Sequence, residues 1–135
     1  MDTIISQKRI LLADDHPGAL AQAAGRLRES YHVVGTVANG LDLLEAAHRL
    51  EPDVIVLDIS MPGLNGFEAA QRLKQSGCRS KLVFLTVWED VDFVREAMSL
   101  GADAYVVKSR LASDLKLAVA EVLAEHKFVS PPLTI

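Results

Sequence analysis

Short apolar runs alternate with amphipathic segments along the whole chain. Five runs are rich in β-branched residues, and several are continuous rather than alternating, which is typical of strands buried on both faces of a parallel sheet. They are residues 9–13 (RILLA), 32–37 (HVVGTV), 53–57 (DVIVL), 81–86 (KLVFLT) and 104–107 (AYVV). After each run, apolar residues recur three or four positions apart, as on a helix with one face against a core. The pattern predicts five strand–helix units.

Turn-forming residues separate these units. Asn39-Gly40 and Asn65-Gly66 precede the predicted second and third helices, and Gly77 and Gly101 end the third and fourth, where a left-handed cap is common. Right-handed crossovers then lead to an α/β fold, an open doubly wound sheet of five parallel strands with helices on both faces. Ligands bind to such sheets at the carboxyl ends of the strands.

Length and composition limit the number of domains and the kind of protein to expect. The chain has 135 residues, half of them hydrophobic, which suits one domain with a real core. We expect residues 1–127 to form this domain. Residues 128–135 contain two prolines that cannot continue a helix, and we expect them to begin a linker or a C-terminal tail.

The charge and cysteine content exclude several classes. A net charge of -4 without a basic run argues against direct binding of nucleic acid by these residues. The single cysteine, Cys78, cannot form an internal disulfide, which favours a reducing compartment. No secretory signal is present, and no apolar run approaches the roughly 18 residues of a membrane helix. We therefore expect a cytoplasmic protein that does not contact the membrane.

Polar residues directly follow four of the five predicted strands. Asp14 and Asp15 follow the first, Asp58 the third, Thr86 ends the fourth, and Lys108 follows the fifth. Each has a structural explanation of its own, such as Asp15 as the N-cap of the first helix. Those explanations do not account for the set, which the predicted topology brings to one edge of the sheet.

This set of groups suits phosphoryl chemistry. Three clustered carboxylates repel one another, and a bound divalent cation such as Mg²⁺ removes that repulsion. A carboxylate also acts as a nucleophile toward phosphorus and forms an aspartyl phosphate. The cation and a lysine then neutralise the charge of the transferring group, while a hydroxyl binds one phosphoryl oxygen.

The motifs around these residues resemble the receiver domain of two-component response regulators over essentially the whole chain. The matching segments are ILLADDHP, VLDISMPGLNGFEAA, FLT and SLGADAYVVKS, in order and at compatible spacing. DDHP, KS after the fifth strand and FVSPPL after the last helix are most similar to the LuxR-type (NarL/FixJ) transcriptional regulators. The resemblance implies a flavodoxin-like (βα)5 fold with strand order 2-1-3-4-5.

The resemblance also implies a role for each acidic residue. Asp58 is implied as the phosphoacceptor. Asp14, Asp15 and Asp58, with the main-chain carbonyl of Ser60, are implied as the ligands of Mg²⁺ or Mn²⁺.

The remaining implied roles concern the response to phosphorylation. Thr86 and Lys108 are implied to bind the phosphoryl group, and Tyr105 matches the aromatic switch position. Residue type alone would make Tyr105 an ordinary half-buried strand aromatic. We expect the face formed by the fourth helix, the fifth strand and the fifth helix to change conformation with Thr86 and Tyr105.

The implied partner is a sensor histidine kinase that donates the phosphoryl group. The domain would assist its own phosphorylation and dephosphorylation without being an enzyme toward other substrates. A phosphorylation-dependent homodimer is expected, with DNA bound only through a C-terminal helix-turn-helix domain outside these residues. The alternative is a stand-alone receiver that acts through protein–protein contacts.

Two unrelated classes fit less well. A phosphatase of the haloacid dehalogenase type needs D-x-D after the first strand, where this chain has DDH. A flavodoxin-like electron carrier needs a hydroxyl- and glycine-rich phosphate loop there, and two anions stand in its place.

Three residues near the predicted site need separate comment, because two depart from the common receiver pattern and one has no implied role. Val87 and bulky Trp88 follow the threonine, where many receivers have a small residue, and we expect them to narrow access to the site. His16 stands between the acidic pair and Pro17, and we interpret it as a turn residue rather than a metal ligand.

Overall fold

A computed structural model describes residues 7–131 and Leu133. The strands are β1 (Arg9–Ala13), β2 (His32–Val37), β3 (Val54–Leu57), β4 (Lys81–Thr86), β5 (Ala104–Val107) and β6 (Phe128–Val129). The helices are α1 (Pro17–Arg28), α2 (Gly40–Leu50), α3 (Gly66–Gln75), α4 (Val91–Ser99) and α5 (Leu111–Leu123), with a short 3₁₀ turn at Lys108–Arg110.

All six strands are parallel and form one sheet in the order β2-β1-β3-β4-β5-β6. The predicted doubly wound α/β fold and the order 2-1-3-4-5 of the first five strands are confirmed. The prediction of a five-stranded sheet was incomplete, because β6 adds a sixth strand at the edge of β5.

Helices cover both faces of the sheet. Side chains of α1 and α5 pack on one face, and those of α2, α3 and α4 pack on the other. Successive residues of β4 alternate between these two cores: Phe84 belongs to the second and Leu85 to the first. Both are buried, which explains why this strand is continuously apolar.

Most of the turn residues predicted at the helix ends are found there in the structure. Asn39 caps α2, and Asn65 forms a reciprocal capping box with Glu68 at the start of α3. Gly77 and Gly101 follow α3 and α4 with φ of +83° and +96°, as predicted for left-handed caps.

The predicted cap of the first helix was wrong. The N-cap of α1 is His16, not Asp15, and no side chain caps this helix. Pro17 at the first helical position has no N–H to satisfy, so part of the usual demand for a cap is absent.

A buried polar cluster fastens β6 to the domain. The Ser130 hydroxyl donates to Asp114 Oδ2 at 2.7 Å and accepts from the Val107 N–H at 3.3 Å. Burial alone would raise the pKa of Asp114, but hydrogen bonds from Arg110, Ser130 and Ser113 outweigh it and lower that pKa. The cluster joins the segment after α5 to the end of β5.

Loss of the Ser130 hydroxyl is expected to destabilise the domain. Ser130→Ala leaves the buried Asp114 carboxylate and the Val107 N–H each without one partner, so the free energy of unfolding should fall by about 1–3 kcal/mol. Urea unfolding measures this change. Ser99→Ala, which removes an exposed hydroxyl, is the matched control and should change little. Equal stability of the Ser130 variant and the wild type would contradict the role of the cluster.

No helix in the described part of the chain is long and apolar enough to cross a membrane.

Candidate functional site

The acidic residues meet at the carboxyl end of the sheet. The Asp58 N–H donates to the Ala13 carbonyl and the Asp14 N–H to the Val37 carbonyl, each at 3.0 Å, so sheet geometry sets both positions. Asp14 and Asp58 are buried, with 5% and 2% of their surface exposed, and Asp15 lies at the rim. The predicted convergence of the three carboxylates is therefore observed.

Lys108 lies between the two buried carboxylates. Its Nζ is 2.8 Å from Asp14 Oδ2 and 2.9 Å from Asp58 Oδ2. Partial burial alone would lower the pKa of Lys108, but its hydrogen bonds to Asp14 and Asp58 outweigh this and raise it. The ammonium group is thus held charged beside the carboxylates and offsets their mutual repulsion.

His16 occupies the turn before α1, as predicted, and its ring also lies against the acidic cluster. The Nδ1 atom is 3.1 Å from Asp14 Oδ1, 3.2 Å from Asp15 Oδ1 and 3.8 Å from Asp58 Oδ2. One ligand atom from each of these four residues lies within 4.8 Å of the others. Sequence reasoning missed this placement, and the signal was the direct adjacency of His16 to the aspartate pair.

The loop after β3 holds Asp58 tightly. The Ile59 N–H donates to Asp58 Oδ1 at 2.7 Å, and the Gly66 N–H donates to the Ile59 carbonyl at 2.7 Å. A Cβ atom at position 66 would collide with the Asp58 carbonyl oxygen. Glycine therefore allows the start of α3 to pack directly against the backbone of Asp58.

Trp88 links the loops after β3 and β4. Its indole Nε1 donates to Ser60 Oγ at 3.1 Å, and its ring packs edge-to-face on Phe93 with centroids 5.2 Å apart. The residue remains 43% exposed. This bridge spans the loop that contains the predicted metal-ligating carbonyl of Ser60.

Thr86 and Tyr105 reach the same region from the core. Thr86 is fully buried at the end of β4. Tyr105 is also fully buried, whereas its residue type alone suggested a half-buried strand aromatic. Its hydroxyl donates to the Trp88 carbonyl at 2.7 Å. Burial, with the negative charges of Asp58 and Asp90, raises the pKa of this hydroxyl, so Tyr105 stays a neutral donor.

The structure thus brings Asp14, Asp15, Asp58 and Lys108 into one cluster and adds His16 to it. Thr86 lies on the strand next to β5, and its loop carries the carbonyl that binds Tyr105.

A large groove lies at the opposite end of the sheet. Its volume is about 820 Å³, and it is lined by Lys8, Asp53 and Lys81 at the amino ends of the strands. It contains none of the predicted site residues, so its size does not mark the reactive centre.

Comparison with known proteins agrees with this geometry. The family model of the response regulator receiver domain matches residues 10–120, which is most of the chain. The chain belongs to the response regulator receiver domain family. Receivers of this family accept phosphoryl groups, bind Mg²⁺ at an acidic pocket and interact with histidine kinases, and this chain has an Asp-rich cluster of Asp14, Asp15 and Asp58.

The chain is similar to response regulators that are longer than it is. It is 33% identical to the response regulator GacA of Pseudomonas aeruginosa over 127 residues and 35% identical to the nitrate/nitrite response regulator protein NarL of Escherichia coli over 128. Each match covers 93% of the chain and 59% of the relative. The chain therefore spans about three fifths of the length of these relatives.

Solved structures show the same architecture. A LuxR-family two-component response regulator from Aurantimonas sp. superimposes with a TM-score of 0.87 at 30% identity, covering 95% of this chain and 93% of that one. The non-phosphorylated receiver domain of RcsB from Escherichia coli has a TM-score of 0.85 at 25% identity, covering 93% and 99%. This chain is a receiver domain of a two-component response regulator with LuxR-family neighbours.

Proposed function

We propose that Asp58 accepts a phosphoryl group from the phosphohistidine of a sensor histidine kinase. The observation that carries this proposal is the pairing of the buried Asp58 carboxylate with Lys108 Nζ at 2.9 Å, beside Asp14 and Asp15. A carboxylate oxygen of Asp58 forms the bond to phosphorus while the phosphorus–nitrogen bond breaks and the imidazole leaves with its electron pair. Lys108 then faces the added negative charge.

The acidic cluster fits a hard divalent cation. Asp14, Asp15 and Asp58, with the main-chain carbonyl of Ser60, would hold Mg²⁺ or Mn²⁺, which take oxygen ligands. When bound, the ion neutralises charge on the attacking carboxylate and the phosphoryl oxygens. Within the described part of the chain, Lys108 is the one lysine or arginine paired with these three carboxylates, and it contacts Asp14 and Asp58. This excess of negative charge supports a divalent cation there.

Phosphorylation supplies enough interaction energy to switch the domain. Moving a two-state equilibrium from 1:99 to 99:1 takes about 5.5 kcal/mol, and hydrogen bonds to charged groups contribute roughly 1.5–3 kcal/mol each. Two or three such bonds, from the Thr86 hydroxyl, the Lys108 ammonium and main-chain amides, are sufficient. One bond alone is not.

The route of this switch runs through the loop after β4. We propose that Thr86 moves toward the phosphoryl group and carries Trp88 with it, which displaces the carbonyl that accepts from Tyr105. The ring of Tyr105 lies in β5, so α4, β5 and α5 form the face that responds.

The role of the whole protein is also a proposal. The sequence-based boundary after residue 127 is too early, because β6 pairs with β5 and Ser130 is buried against Asp114. The receiver therefore extends through Ser130, and the residues after it would begin a linker to a LuxR-type DNA-binding domain, in keeping with the 59% coverage of GacA and NarL. Phosphorylation would then promote a homodimer that binds DNA in the cytoplasm. The second candidate is a stand-alone receiver that acts through protein contacts without turnover of another substrate.

The proposal is tested by phosphoryl transfer from acetyl phosphate. Wild-type chain should be labelled only with Mg²⁺ present, and Asp58→Asn should not be labelled.

Trp88 is expected to lengthen the life of the acyl phosphate. Trp88→Phe removes the Nε1 hydrogen bond to Ser60 Oγ and loosens the bridge between the two loops. One neutral hydrogen bond of about 1 kcal/mol corresponds to roughly fivefold faster hydrolysis if the bridge hinders water. The half-life of the phosphorylated chain measures this. Leu117→Ala, which alters an exposed apolar side chain on α5, is the control, and an unchanged half-life for Trp88→Phe would refute the expectation.

A further inference from the structure

We propose that phosphorylation of Asp58 opens a latch that holds the segment after α5 against β5, and that Lys108 drives the opening. The latch is the pair of hydrogen bonds that join the Ser130 hydroxyl to Val107 and Asp114. The inference rests on the proposed phosphorylation of Asp58 and adds to it a second route out of the site, independent of the loop after β4. Its consequence is that phosphorylation changes how the chain leaves the receiver.

Ser130 completes the edge of β5 with its side chain. Its N–H donates to the Tyr105 carbonyl at 2.9 Å, as in a parallel ladder. Its hydroxyl then accepts from the Val107 N–H at 3.3 Å, in place of the main-chain carbonyl of a longer strand. Ser130 is fully buried and Val107 nearly so, which makes the loss of this bond costly.

The other bond of the latch is joined to the turn that Lys108 begins. This 3₁₀ turn connects β5 to α5 and ends at Arg110. The Ser130 hydroxyl donates to Asp114 Oδ2 at 2.7 Å, and Arg110 Nε donates to the same oxygen at 2.8 Å. The residue before Lys108 and the last residue of its turn therefore both hold the latch. A displacement of this turn reaches Ser130 from two sides.

The added charge at the site displaces Lys108. Its Nζ lies 2.8 Å from Asp14 Oδ2 and 2.9 Å from Asp58 Oδ2. Phosphorylation moves the negative charge from the Asp58 carboxylate to phosphoryl oxygens that lie farther from the backbone. The ammonium follows that charge, and the turn moves with it. The bond from Val107 is the longer of the two in the latch, so it opens first.

The latched segment covers the edge of the sheet. Phe128 packs with the core between the sheet and α1 and α5, and Val129 and Leu133 pack with the core on the opposite face. The pairing of β6 with β5 also satisfies backbone groups at this edge. Opening the latch would therefore expose both apolar side chains and an unpaired strand edge.

The experiment is residue-resolved amide hydrogen exchange of the whole 135-residue chain in Mg²⁺, with and without beryllofluoride as a stable mimic of the phosphoryl group. The Ser130 N–H should exchange at least about fivefold faster with the mimic, the factor for loss of one neutral hydrogen bond. The His32 N–H, which donates to the Lys8 carbonyl at 2.9 Å on the opposite edge strand, is the matched control and should not change. Asp58→Asn should show no response at Ser130.

Two variants separate the routes. Thr86→Ala lacks the hydroxyl of the loop route but keeps Lys108, so the Ser130 N–H should still respond to the mimic. Ser130→Ala removes the latch, so its amide at position 130 should exchange fast with or without the mimic. This acceleration should exceed that of the Ile55 N–H in the central strand β3, which reports unfolding of the whole domain. The fluorine resonance of the bound mimic measures occupancy in every sample.

Two results would overturn the inference. Unchanged or slower exchange of the Ser130 N–H in wild-type chain occupied by the mimic would mean that no latch opens. Loss of the response in Thr86→Ala would assign the opening to the loop after β4 instead of Lys108. Either failure leaves Mg²⁺-dependent labelling of Asp58 by acetyl phosphate intact, whereas labelling that persists in Asp58→Asn refutes the proposed function whatever the exchange result.

Discussion

Asp58→Asn is expected to abolish Mg²⁺-dependent uptake of a phosphoryl group from acetyl phosphate. The amide is nearly the same size as the carboxylate, and its oxygen still accepts from the Ile59 N–H, so the loop should keep its conformation. The amide nitrogen is not a nucleophile, and the ion pair with Lys108 at 2.9 Å is lost. Separation of phosphorylated from unphosphorylated chain on a phosphate-affinity gel measures the labelled fraction.

The control for this variant is an aspartate outside the site. Asp92→Asn changes an exposed side chain on α4 that pairs with Arg95, and it should be labelled like the wild type. Full labelling of Asp58→Asn, at the rate of the Asp92 variant, would contradict the assignment of the phosphoacceptor.

Thr86→Ala is expected to separate phosphorylation from its consequence. Asp58, Lys108 and the acidic cluster remain, so labelling should persist. The hydroxyl that we propose binds a phosphoryl oxygen is absent, so roughly 1.5–3 kcal/mol of the about 5.5 kcal/mol needed for a full switch should be lost. The fluorescence of Trp88, the only tryptophan, should therefore change on phosphorylation in the wild type and much less in the variant.

Thr86→Ser is the matched variant, because it keeps the hydroxyl and removes only a methyl group. It should recover most of the fluorescence change. If the alanine variant showed the full change at equal labelling, Thr86 would not transmit phosphorylation to Trp88 and Tyr105.

Local sequence patterns were sufficient to predict the bounds of most strands of the sheet. Four strands have the predicted bounds, and β3 begins at Val54 rather than Asp53. The side chain of Asp53 instead accepts from the Arg9 N–H at 2.8 Å, a contact 44 residues away that no local pattern reports. Continuous apolar runs are informative because both faces of these strands are buried.

The sixth strand was not predictable from its own residues. Phe128 and Val129 are only two residues, too few for a period, and two prolines follow within three positions. The strand is held by Ser130, whose hydroxyl reaches Asp114 on α5. That contact depends on the packed tertiary structure, and Asp114 by itself resembles an ordinary first-turn acid of a helix.

The candidate site was predictable as a set but not in its details. Topology brings Asp14, Asp58 and Lys108 to one edge, because parallel strands end together. The direction of an imidazole ring and the burial of an aromatic side chain depend on rotamers and neighbours. His16 and Tyr105 are therefore the residues whose surroundings only the structure shows.

The most direct test of the central account is to locate the phosphoryl group on the chain. Wild-type chain would be phosphorylated with acetyl phosphate and Mg²⁺, reduced with borohydride to convert the acyl phosphate to homoserine, and mapped by tandem mass spectrometry. We predict homoserine at position 58 and unmodified aspartate at Asp14 and Asp15. Homoserine at either of those two residues, or phosphorylated chain without homoserine at position 58, would contradict the account.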